Sequence, residues 1–311
     1  MNSLKIRSAL ITGANAGLGK EVARQLALRE GVEKIYLGCR NESKAQAAKQ
    51  ELEQRTGKYV FEIILMDVSD VKSVRSAAAG LREPIDALVM NAGGSGGPSP
   101  LRLTQDGVTE IFATNVLGHV ALFEALVKAG LLKKTAVYLG SEAARGVPKM
   151  RMKRPALPTS STEDFADVIT GRDFAGKKLD GALAYGEVKY IAALWMAFQA
   201  TVHPELRLIT MSPGNTQGTE IANGMPLPVR LLMKYIMMPI VAPLMSMAHT
   251  LETGAHRIVA ALTDPTLLSG VFYGSAPQTL TGPIVDQSEI FSDLASPAIQ
   301  RSADQAVHQF L

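Results

Sequence analysis

The eight residues "TGANAGLG" (Thr12–Gly19) constrain this chain more than any other stretch. They follow a short apolar run, "RSALIT" (Arg7–Thr12), and lead into an amphipathic one, "GKEVARQLALRE". A strand that turns on glycine straight into a helix is the opening half of a βαβ unit. The rhythm then repeats. "KIYLGC" (34–39) reads as a second strand, and "SKAQAAKQELEQRTG" as a polar helix ending at Gly57. "VFEIILMDV" (60–68) is a third strand, "SVRSAAAGLRE" a helix and "IDALVMNAG" (85–93) a fourth strand. A long helix is expected from about 105 to 129, then a fifth strand at "TAVYLGS" (135–141). "ELRLITMSPG" (205–214) and "GVFYGS" (270–275) supply a sixth and a seventh. Continuous apolar strands alternating with helices predict an α/β fold: a doubly wound parallel sheet of about seven strands, one domain over 1–311.

Two segments break the rhythm. Residues 143–181 are rich in Pro, Gly, Ser and charge, without a clear period, and read as a surface insertion. Its first part, "RGVPKMRMKR", carries five basic residues. In Gly224–His249, prolines at 226, 228, 239 and 243 cut an apolar stretch into short pieces holding six of the thirteen methionines.

The glycine turn has a physical use. Glycine lets the backbone approach a pyrophosphate closely, and the helix start offers free N–H groups and a partial positive charge. Gly13, Asn15, Ala16, Gly17, Leu18 and Gly19 are therefore candidate contacts to a dinucleotide; the alternative is a tight turn that only packs strand on helix. An NAD-specific site carries an acid at the end of the second strand for the ribose 2′-hydroxyl. Here the strand ends "GCRN", and Arg40 can pair with a 2′-phosphate or stand as a solvated charge. Asp67, in "MDVSD", can accept from the adenine amine or cap the next helix; Val68 follows it. Asn91, Ala92 and Gly93 end the fourth strand with small residues where a cofactor can lie close. NADP(H) is expected in preference to NAD(H).

"YGEVK" places Tyr185 and Lys189 one helical turn apart. Together with "TGANAGLG", "MDV", "NAG", "ATNVLGH", "VYLGSEA" and "SPGNT", in that order from Thr12 to about Thr219, the chain resembles the classical short-chain dehydrogenases/reductases. The resemblance implies a Rossmann-type fold and a catalytic tetrad of Asn115, Ser141, Tyr185 and Lys189. It also implies that Tyr185 and Lys189 touch the cofactor, and that Pro213, Gly214 and Thr216 lie near its nicotinamide amide. The usual threonine four residues after Gly214 is replaced by Gly218, so Thr219 competes with Thr216 for that contact. The chemistry agrees. Carbonyl reduction by hydride needs a proton donor, and a free tyrosine with a pKa of about 10 is a poor one near neutrality. Lys189 is expected to lower it, Ser141 to hold the substrate oxygen, and Asn115 to hold a water leading to Lys189.

Ser141 and Tyr185 are 44 positions apart, far more than in typical family members. The insertion between them resembles that of monomeric carbonyl reductases, "NVLGH" the retinol dehydrogenases, and "ETGAHRIVAALTDPTLLSGVFY" the light-dependent protochlorophyllide reductases. These groups favour NADPH and large apolar substrates. The expected activity is NADP(H)-dependent hydride transfer to or from a carbonyl or alcohol of a bulky apolar compound: retinoid, steroid, quinone or pigment. Pigment-like C=C reduction and a catalytically silent NADP-binding regulator are the alternatives. Residues 217–249 read as a substrate lid that can also touch a membrane, or as ordinary core helices. A monomer or a homodimer is expected.

Composition narrows the remaining classes. A net charge of +3 over 311 residues, with no basic run interleaved with aromatics, excludes a nucleic-acid partner. Cys39 is the only cysteine, so no internal disulfide forms and a reducing compartment is expected. The five histidines lack metal-ligand spacing, and no metal is expected. The first apolar stretch is too short for a signal peptide. A cytoplasmic protein with peripheral membrane contact at most is the resulting expectation.

Overall fold

Strands that bury both faces read as unbroken apolar runs, and these do. In β1 (Ser8–Thr12), β2 (Lys34–Cys39) and β4 (Ile85–Met90) nearly every residue is buried. The computed structural model describes residues 3–216 and 248–311. The remaining strands are β3 (Phe61–Leu65), β5 (Leu132–Leu139), β6 (Arg207–Met211), β7 (Phe272–Ser275) and β8 (Ile284–Asp286). The eight form one sheet in the order β3-β2-β1-β4-β5-β6-β7-β8. All neighbours are parallel except β7 and β8. The sequence suggested about seven strands. The extra one, "IVD", is three residues long and pairs antiparallel as an edge, too short to show a period. β3 is the other edge.

Helices cover both faces. α1 (Gly17–Ala27), α2 (Glu42–Thr56) and α7 (Leu251–Thr263) bury Leu26, Leu52 and Ile258 against one face. α3 (Val71–Gly80), α4 (Glu110–Lys128) and α6 (Gly181–Val202) bury Val74, Phe123 and Trp195 against the other. Phe123 and Trp195 meet edge to face at 5.5 Å. α4 is long and apolar enough to cross a membrane, but it is mostly buried here: its hydrophobicity serves the core. It starts at Glu110 rather than near 105, because Gly107 turns the chain and Leu103 pairs with Thr109. Within it, Ala113–Leu117 widens into a π turn.

The insertion is more ordered than its composition suggested. It carries α5 (Thr162–Thr170), started by a reciprocal cap between Ser161 and Asp164 and ended by Gly171 at φ +77. α5 packs on α6 and on α8 (Pro297–His308), and α8 packs along α6. Arg145, expected on the surface, is 1% exposed. Its guanidinium donates to the carbonyls of Gly146, Ser275, Ala276 and Thr279 and to Gln287. Arg154 lies over Phe291 at 4.7 Å and Lys153 pairs with Asp180 at 3.0 Å, so three of the five basic residues are engaged within the protein.

The sheet order reverses between β1 and β4, and open α/β sheets bind ligands at the carboxyl ends of strands beside such a reversal. The glycine turn and Asn91–Gly93 both lie at that edge.

Candidate active site

At the end of β1, Gly13 and Gly17 take left-handed backbone angles of +66° and +55°. Ala16 precedes α1 in extended conformation and offers no side-chain cap. By contrast α2, α3, α5, α6 and α7 are all capped by a side chain, from Asn41, Asp70, Ser161, Asp180 and Thr250. The N-cap side chain thus leaves the first-turn N–H groups of α1 without an acceptor. Asn15 and Ala16 form the accessible rim, while Leu18 and Gly19 are buried. Asn91 turns inward, its amide donating to Thr12 O at 2.7 Å and Gly13 O at 3.3 Å. A Cβ on Gly19 would overlap that amide, which explains glycine there. Asn91 therefore holds the turn's shape from behind.

Arg40, at the end of β2, has a side chain 77% exposed and lies 3.9 Å from the Asp67 carboxylate. The cap of α3 belongs to Asp70, which accepts from Lys72 and Ser73. Asp67 instead accepts from the backbone and hydroxyl of Ser69 at 2.9 and 2.6 Å. Val68 is buried, with its carbonyl against Gly118 of α4. Cys39 is buried beneath the turn, and desolvation pushes its thiol up to about 11.

Ser141 follows β5, and its hydroxyl accepts from Ala143 N at 3.2 Å. Tyr185 and Lys189 stand one turn apart on α6, with the Lys189 ammonium 5.6 Å from the Tyr185 ring centre. Lys189 donates to the Tyr138 hydroxyl at 3.1 Å and to Leu139 O at 2.9 Å. The Tyr138 hydroxyl in turn donates to the backbone carbonyl of Asn115 at 3.0 Å. Asn115 lies in the π turn, where the widened ladder leaves that carbonyl available. Its side chain is spent on Gly94 and Ile111. The Tyr138 phenol thus links the Asn115 carbonyl to the Lys189 ammonium. His119 completes the chain. Its Nδ1 faces Asn115 O at 2.9 Å and so carries the proton; its Nε2 then accepts from Thr12 Oγ1 at 2.9 Å. Thr12 Oγ1 accepts from Asn91 N and Ala92 N. Burial holds His119 neutral, with a pKa of about 4.

The electrostatics differ from the sequence expectation. Tyr185 is half-buried as a residue, with its hydroxyl end enclosed by protein. Desolvation pushes it up to about 12; the Ser141 hydroxyl pulls it down and the Glu142 carboxylate pushes it up. Burial alone drops Lys189 to about 7. Lys189 aims at Tyr138 and Leu139 rather than at Tyr185, so the expected lowering of Tyr185 is outweighed by burial.

Beyond β6, Pro213 is buried and Gly214 adopts φ +74. Thr216 donates to Gly214 O at 3.1 Å and pairs in a bridge with His249. Gly218, Thr219 and nearly all of the expected lid lie outside the described residues.

A family model for short chain dehydrogenases matches residues 7–144. Dehydrogenase/reductase SDR family member 12 of Bos taurus is 27% identical over 222 residues, 71% of this chain and 64% of that protein. Retinol dehydrogenase 12 of Bos taurus is 37% identical over 130 residues, 41% of this chain and 39% of that one. The chain therefore spans less than two thirds of the length of these relatives. Residues 7–144, a little under half of the chain, are thus similar to the short-chain dehydrogenases. Among solved structures, a Mycobacterium paratuberculosis protein superposes with a TM-score of 0.67 at 24% identity, covering 98% of this chain and 92% of that one. NADPH-bound carbonyl reductase from chicken fatty liver gives 0.58 at 20%, covering 86% and 96%. At these identities the likeness concerns the fold.

Within this site, sequence reasoning missed Tyr138, His119 and Glu142. Each left a faint signal. Tyr138 is the only hydroxyl-bearing aromatic in an aliphatic run, His119 sits one turn after Asn115, and Glu142 is a charge beside Ser141 in an otherwise small-residue turn.

Proposed function

We propose that this protein is an NADP(H)-dependent oxidoreductase that reduces a carbonyl of a bulky apolar compound, with Tyr185 as proton donor. The observation that carries the reading is the convergence of Ser141, Tyr185 and Lys189 at the carboxyl end of β5, on the same sheet edge as the glycine turn into α1, whose helix start lacks a side-chain cap. That bare helix start, the left-handed glycines and the exposed Arg40 fit a dinucleotide with a 2′-phosphate. Bound cofactor would supply the hydride.

The protein's own groups do the rest. Ser141 hydrogen-bonds the carbonyl oxygen. Tyr185, with a pKa near 12, is protonated at neutral pH, the form a donor to a developing alkoxide needs. This favours reduction as the working direction. Lys189, held by Tyr138 and Leu139 O, sets a positive charge beside the cofactor ribose when protonated. Asn91 keeps the phosphate turn in shape, and Asp67 lies where it can meet the adenine amine. Gly93, exposed and close to Lys189, lets the cofactor approach the backbone. Pro213, Gly214 and Thr216 would face the nicotinamide amide. α5 and α8 cover α6, which favours a monomer.

Tyr185→Phe should lower the rate by about 10²–10⁴-fold while NADPH binding stays near wild type. Consumption of NADPH against retinoid, steroid, quinone and aliphatic carbonyls measures the first, and nicotinamide fluorescence the second. Wild-type turnover by the variant would overturn the mechanism.

A further inference from the structure

Next to Ser141 lies a buried polar cluster that the reaction does not use directly. Glu142 is 2% exposed, Ser212 1%, Ser275 0% and Arg257 4%. The two carboxylate oxygens of Glu142 reach different strands. One accepts from the Ser212 hydroxyl after β6 at 2.6 Å, and the other from Ser275 N in β7 at 2.8 Å. Ser212 passes the restraint on: its oxygen accepts from Gly214 N at 3.0 Å. Arg257 braces the same place, donating to the Ser275 hydroxyl at 3.0 Å and to Gly282 O at 2.5 Å. A Cβ on Gly214 would meet Arg257, His249 and Leu280 O within 3.0 Å, and its φ is +74, so this tightly packed position calls for glycine.

Burying a carboxylate is costly even with the Arg257 and Arg145 guanidinium groups nearby, and apolar packing would join these strand ends with less penalty. We propose that Glu142 is a positioning residue that locks the Ser141 turn to the Ser212–Thr216 turn, fixing the substrate-oxygen contact relative to the nicotinamide contact. The inference rests on the oxidoreductase reading above. Through Ser212, the carboxylate dictates where the Gly214 backbone lies. Its charge also acts on the proton donor: burial raises the Tyr185 phenol most, and the Glu142 carboxylate adds to that in the same direction.

Glu142→Gln, Ser212→Ala and the double variant test this, using NADPH titration by nicotinamide fluorescence and the ultraviolet titration of Tyr185 against a Tyr185→Phe background. Each single variant should weaken NADPH about ten-fold, and the double variant no more than either single, because both break one link. Glu142→Gln should move the Tyr185 titration to lower pH, whereas Ser212→Ala, which keeps the charge, should not. A purely structural role would move neither titration. Unchanged NADPH affinity, additive losses, or an unmoved Tyr185 titration in Glu142→Gln overturns the proposal. If Glu142→Gln does not fold, Ser212→Ala decides alone by its NADPH affinity. A wild-type protein that does not bind NADPH overturns the oxidoreductase reading itself, and this inference with it.

Discussion

Arg40 and Glu187 show two opposite fates of a charge. Arg40 is exposed and lies 3.9 Å from the Asp67 carboxylate. Arg40→Asp should shift the ratio of NADPH to NADH affinity toward NADH by about ten-fold or more, measured by paired fluorescence titrations; an unchanged ratio would remove Arg40 from the site. Glu187, between Tyr185 and Lys189, is 3% exposed, and one of its oxygens finds no hydrogen-bond partner. Desolvation raises its pKa to about 8, helped by Asp173 and Asp180 and opposed by Lys177. A carboxyl raised in the folded state binds more protons there than when unfolded, so stability falls as pH rises from about 4.5 to about 8. Glu187→Gln should therefore be near neutral at pH 5 and stabilising by about 1–3 kcal/mol at pH 9, read from denaturant unfolding at both. That Tyr185 and Lys189 stand one turn apart on a helix was legible in the sequence from their spacing. Tyr138 was not, because its partners lie 23 and 51 positions away and only the sheet brings them together.

At the scale of elements, α6 and the turn after β5 set the site's tolerance. A Cβ on Gly186 would lie 2.7 Å from Ala143 O, so the helix carrying Tyr185 touches the backbone two residues beyond Ser141. Gly186→Ala should push these apart. Misplacing reacting groups by even an ångström can cost about 10²-fold, so carbonyl reduction should drop by that order while circular dichroism stays unchanged; full activity would show that the turn can shift freely. The βαβ rhythm was readable because α1–α3 and β1–β5 are long enough to show a period. α5, nine residues amid Pro and Gly, and β8, three residues, are not. The π turn was hidden for another reason: helix widening depends on what the freed Asn115 carbonyl meets, and that includes Tyr138 from β5 as well as His119.

Seen as a whole molecule, the sheet has two unlike ends. β8 closes one by running antiparallel, and the chemistry crowds the carboxyl ends of the strands between. β3 ends the other, with the sequence "FEIIL". Unpaired strand edges template association with other chains, and a single charge is a common guard. Glu62 is that charge, paired with Lys34 at 3.3 Å and about half exposed. Glu62→Val would make all five residues of β3 apolar along an open edge. The variant should keep its activity when freshly folded, yet aggregate sooner on mild heating, as followed by light scattering; a wild-type onset would show that the edge is protected by other means. The segment that decides how long a solution of this protein stays clear is thus remote from the one that decides what it reacts with, and the two can be engineered independently.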